Sequence, residues 1–99
     1  MGNWLGRSQT EKQLAKTVRR MREIREKLAV AEEQLAALRE DAEDLEMRSM
    51  VSESPFDSQE SRQASAHAAS MHRHRDDLRR ELSELESRQD ELLDRMNRQ

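Results

Sequence analysis

Three side chains in this sequence stand at a spacing that could hold a metal: His67, Met71 and His74. On an α-helix, steps of four and three keep them on one side, and two imidazoles with a thioether suit a soft or borderline ion such as copper. A site of that kind also needs further ligands and a second shell. The same histidines, with His72, flank a helical seam and stand opposite an acidic stretch that includes Glu32 and Asp41. The structural reading therefore comes first, and no metal or cofactor is expected. In that reading, partial protonation of the histidines near pH 6.5 tightens the pairing in mild acid.

Other chemistry has less to stand on. The 99 residues contain no cysteine and only two glycines, so there is no thiol nucleophile, zinc-thiolate set or glycine-rich phosphate loop. With 39% charged and 33% hydrophobic residues, the chain cannot build a core thick enough to desolvate paired carboxylates. We read the acids as a solvated face and expect no enzyme. The segment Arg19-Arg20-Met21-Arg22, with Lys12, Lys16, Arg25 and Lys27, is the most basic. Its cations surround the helix, Glu23 and Glu26 intervene, and no aromatic side chain is available to stack on bases, so it reads as a steering end and not as a nucleic-acid site. Trp4 and Leu5 are the sharpest feature. They could anchor in a partner's pocket, fold back near Val18 and Met96, or dip into a membrane interface.

These residues sit on two long amphipathic helices. Apolar residues recur through five heptads, with Leu14, Met21, Leu28, Leu35 and Ala42 at a and Thr17, Ile24, Ala31, Leu38 and Leu45 at d. That is a coiled-coil seam. A second seam runs through Ala64, Ala68, Met71, Leu78, Leu82, Leu85, Leu92 and Met96, with Arg75 and Gln89 at polar a positions. The two frames are out of phase across residues 49–55, where serines and Pro55 interrupt the pattern, so a hairpin is favoured over one continuous helix. We place an arm with Trp4 at 1–8, helix 1 at 9–50, a turn at 51–54 and helix 2 at 55–97. Ser8 with Glu11, or Thr10 with Gln13, would cap the first helix, and Ser54 with Asp57 the second.

Charge gives the direction. Residues 7–27 carry eight Lys or Arg against three acids, and residues 32–46 carry one Arg against seven acids. In the second helix the order reverses: 62–75 is basic and histidine-rich, and 76–94 is acid-rich. An antiparallel fold sets opposites face to face. If paired residue numbers sum to 106, Leu14 meets Leu92, Met21 meets Leu85, Ile24 meets Leu82, Leu28 meets Leu78, Leu35 meets Met71, and small Ala31 leaves room for Arg75. A sum of 113 instead gives a longer loop and the flanking pair Val18 with Leu93 but sets Leu38 against Arg75.

The expectation is an all-α, antiparallel two-helix coiled-coil hairpin. Two helices bury only one stripe each, so self-association into a four-helix bundle, or docking on a larger protein, would complete it. The expected role is a non-enzymatic protein–protein interaction or scaffold module, with itself or a larger protein as partner and with Trp4, Leu5, Val18 and Leu93 as contacts. The alternatives are an accessory protein at a membrane surface or on nucleic acid, using the Trp4 arm and residues 7–27, and a metal binder using His67, Met71 and His74. With no apolar run near 20 residues and no signal-peptide pattern, a cytoplasmic location is expected.

In length, hairpin form and the triplet Trp4-Leu5-Gly6, the chain resembles the WXG100 family of secreted helical hairpins. That family carries Trp-x-Gly at its bend and an export signal with a tyrosine. Here the triplet precedes the first seam and there is no tyrosine, so the family's function is not carried over.

Overall fold

The computed structural model describes residues 3–99. Two helices pack against each other as an all-α hairpin, α1 over Asn3–Ser52 and α2 over Pro55–Arg98, and no strand occurs among the described residues. The reason is compositional as much as periodic. Leu, Ala, Glu, Arg, Lys and Gln all favour helix, and neither helix has a proline beyond its first position.

α1 starts well before the expected boundary at residue 9. Residues 3–8, expected as an arm ahead of the helix, are its first two turns; the rest of that arm, Met1 and Gly2, lies outside the described residues. The seam accounts for this, because Thr10 is the d position one heptad before Thr17 and is buried. Its hydroxyl caps nothing: Thr10 Oγ1 donates to Gly6 O at 2.9 Å, the back-bond of a residue already inside a helix, and Thr17 Oγ1 does the same to Gln13 O.

The bend is two residues long. Glu53 takes a left-handed conformation with φ of 54°, which stops α1. Pro55 then occupies the first position of α2, where its missing N–H costs nothing, and the Ser58 amide donates to Ser54 O at 3.1 Å to begin the helix. Asp57 works differently from the expected box with Ser54. Its carboxylate accepts from Ser52 Oγ at 2.6 Å, and Ser52 Oγ in turn accepts the Ser54 amide at 3.3 Å, so the last hydroxyl of α1 ties the bend together.

The hairpin comprises two compact units. The first joins α1 up to Lys27 with α2 from Leu78. In it Met21, Ile24, Leu78 and Leu92 are buried with Thr10 and Thr17, and Leu14, Leu82, Leu85 and Met96 are half-buried. The second spans Leu28–Asp77. There Ala31, Leu35, Ala42, Ser61 and Arg75 are buried, and Leu28, Leu38, Leu45, Ala64, Ala68 and Met71 are half-buried.

Cross-helix contacts read out the register. In the first unit Arg20 meets Glu81, and a Cβ on Gly6 would lie 3.4 Å from the Gln99 amide, pairs whose numbers sum to 101 and 105. At 1.5 Å per residue, a register of 113 would separate Arg20 from Glu81 by about 18 Å along the axis. In the second unit Leu38 shares a hollow with His67 and Met71, and the cross-helix bonds Arg75–Glu32 and Arg39–His72 have sums of 107 and 111. The first unit lies nearer the register of 106.

Candidate functional site

The most connected polar group lies in the second unit, where Arg75 interrupts the seam. It is only 8% exposed and sits at an a position of the second seam. Its fork is fully engaged: Nε donates to Asp76 Oδ1 at 2.9 Å, Nη1 to Glu32 Oε2 at 3.3 Å and Nη2 to His72 Nδ1 at 3.2 Å. Burial works against the charge of this guanidinium. Hydrogen bonds and attraction from Asp76 and Glu32 outweigh that cost, so its pKa lies above the ordinary arginine value.

His72 is the hub of the same network. Arg39 Nη2, from α1, donates to His72 Nδ1 at 2.8 Å, and His72 Nε2 lies 3.1 Å from Asp76 Oδ2. Guanidinium has donors only, so Nδ1 must accept and Nε2 must carry the proton. The sequence pattern placed the histidines against acids; for His72 the facing group on α1 is an arginine. The reason lies in Arg39, the one cation inside the acidic stretch 32–46, which points at the seam's flank.

Two of the three candidate metal ligands share one hollow. His67 is exposed and Met71 half-buried, and both line an apolar hollow of about 280 Å³ with Gln34, Ala37 and Leu38. His74 is exposed and does not line it. Among the described residues, no three His, Cys, Asp or Glu side chains are grouped to bind a metal.

In the first unit the polar link is Arg20 with Glu81, at 2.9 Å through Nε and 2.8 Å through Nη2. The hydrogen bonds that Arg20 donates to Glu81 and then to Glu23 raise its pKa above the ordinary arginine value. This pair joins the basic block of α1 to the acidic block of α2. Both side chains are well exposed, so the pair sets direction more than it adds stability.

No family model, curated protein or solved structure matches this chain.

What remains is surface. Trp4 is 75% exposed and Leu5 is exposed with it. Trp4 does not fold back toward Val18 and Met96; it lies along its own helix in a shallow hollow with Arg7, Ser8 and Glu11. Val18 is half-buried, while Leu93 is exposed. The sequence reading missed a second patch at the bend. Met47, Met50, Val51 and Phe56 are all exposed, Val51 most of all at 84%. The signal was there: these residues fall at outer heptad positions b, c and f, where a seam has no use for large apolar side chains. No helix among the described residues is long and apolar enough to cross a membrane.

Proposed function

We propose that this chain is a non-enzymatic protein–protein interaction or scaffold module. One observation carries the reading. The seam is already closed within the hairpin, yet large apolar side chains stand exposed: Trp4 and Leu5 at the start of α1, Met47, Met50, Val51 and Phe56 on either side of the bend, and Val30 and Leu93 singly. Apolar groups that a fold leaves together in water, beyond those scattered singly, mark contact surfaces. Trp and Met are also enriched at protein interfaces, and the adaptable Met side chain suits a surface that repacks. The partner in this reading is a second copy or a larger protein, and the location is cytoplasmic, which fractionation of the tagged chain would test.

The decisive experiment is light-scattering mass after size exclusion at several concentrations, run beside co-sedimentation with anionic vesicles and a nucleic-acid shift at two salt concentrations. A mass above the 11.7 kDa of one chain, with neither vesicle nor nucleic-acid binding, supports the reading. A chain that stays monomeric and pellets with vesicles, or shifts nucleic acid in a salt-dependent way, overturns it in favour of a surface accessory role for Trp4 and residues 7–27.

A further inference from the structure

The positions of α1 farthest from its seam carry two rows of like charge. Lys12, Lys16 and Arg19 stand at f, c and f, and Glu40, Glu43 and Asp44 at f, b and c, all of them exposed. Helix surfaces gain from opposite charges three or four residues apart and lose from like ones at that spacing. Lys12 and Lys16 have no acid three or four residues away on either side, and Glu40 has no cation. The acid next to Lys12, Glu11, is taken by Arg7. Among the described residues, Lys12, Lys16, Glu40 and Asp44 enter no ion pair. At f and c these side chains stand on the side of α1 opposite its a and d seam, so α2 does not answer either row.

The spacing between the rows names what can. Glu40 follows Lys12, and Asp44 follows Lys16, by four whole heptads, so the same heptad positions recur with the sign reversed. We propose that a second copy of this chain docks antiparallel along this face, with Lys12 against the partner's Asp44 and Lys16 against the partner's Glu40. This rests on the interaction reading above and names the partner and the face. Both pairs have numbers that sum to 56, which puts a two-fold axis at Leu28 and makes four ion pairs in a contact that closes at two copies. A parallel copy in register would set lysine on lysine and acid on acid. One shifted by four heptads would match a single pair of rows and leave the other two bare, so complementarity selects the antiparallel contact. Between the rows, Arg19 falls level with the partner's Ala37 and Glu26 with the partner's Val30; the like pair, Glu23 with the partner's Glu33, has Arg22 beside it. Exposed ion pairs are individually weak, so the dimer is concentration-dependent and screened by salt.

Charge reversal on the full chain tests this. Sedimentation velocity should give a mass that rises from one copy to two with concentration, grows no further, and falls back as salt rises. Lys12→Glu with Lys16→Glu turns four attractive pairs into four repulsive ones and should weaken association roughly tenfold or more. Glu40→Lys with Asp44→Lys should do the same. Mixing the two variants, or placing all four substitutions in one chain, should restore the dimer, because each reversed row then finds an opposite one. A variant that merely misfolded could not be rescued by two further substitutions. Three results overturn the proposal. One is a chain with all four substitutions that stays as weak as either pair alone. Another is a dimer indifferent to the reversals and to salt, which sinks this contact while leaving the broader interaction reading intact. The third is a chain that stays monomeric at every concentration, which removes the second copy and leaves a larger protein as the partner.

Discussion

His72 accepts hydrogen bonds from two guanidiniums at one ring nitrogen, Arg39 at 2.8 Å from α1 and Arg75 at 3.2 Å from its own helix. Removing that acceptor in His72→Ala should lower the melting temperature followed by circular dichroism, and His72→Gln, whose amide oxygen still accepts, should lose less. Equal losses in the two variants would mean that the acceptor contributes nothing. Arg75 and Arg20 have raised pKa values and stay charged. Arg75 also tests what a buried charge in a seam is for. Replacing such a group with an apolar side chain is often stabilising, while a polar a position fixes register. Arg75→Leu should therefore raise the melting temperature and broaden the distance between spin labels at positions 34 and 70. A lower melting temperature would mean that the bonds to Asp76, Glu32 and His72 outweigh the cost of burial.

At the scale of the element, the bend is the strained joint. Glu53 has a Cβ in the left-handed region, a conformation that costs an L-residue roughly 1 to 2 kcal/mol and glycine almost nothing. Glu53→Gly should stabilise the hairpin by about 1 kcal/mol in urea unfolding, after the glycine's added freedom in the unfolded chain is offset. No gain would mean that Ser52, Asp57 and the Ser54 amide fix the bend whatever residue stands at 53. The helices themselves were legible because a heptad pattern is redundant: five turns of Leu, Met, Ile and Ala at one spacing leave little choice of period or direction. Their ends were less so. Ser8 and Thr10 look like caps in isolation, and only the burial of Thr10 at a seam position shows that the helix passes through them. The Met47, Met50, Val51 and Phe56 cluster was hidden for a related reason. A search for seams counts the apolar residues that fit, and these four matter because they do not. Arg39 against His72 was out of reach of charge blocks, since a block average cannot say where one long side chain turns.

For the whole molecule, the buried side chains divide unevenly, and stability should divide with them. Of the large side chains with essentially no exposure, Met21, Ile24 and Leu92 belong to the first unit and Leu35 alone to the second. The other buried side chains of the second unit are Ala31, Ala42, Ser61 and Arg75, which bury little apolar area or bring charge, and its Leu28, Leu38, Leu45 and Met71 are only half-buried. Fully burying one Leu, Ile or Met contributes roughly 1.5 to 3 kcal/mol, so a deficit of even one such residue corresponds to about tenfold or more in local opening. Native-state hydrogen exchange should therefore run at least tenfold faster at protected amides within 28–48 and 60–77 than within 14–27 and 78–92. The bend cluster stands in the unit that opens more easily, where a surface can adapt to what it meets. Equal exchange in the two sets of segments would mean that the bonds of Arg75 to Asp76, Glu32 and His72 hold the second unit as firmly as buried Leu, Ile or Met hold the first.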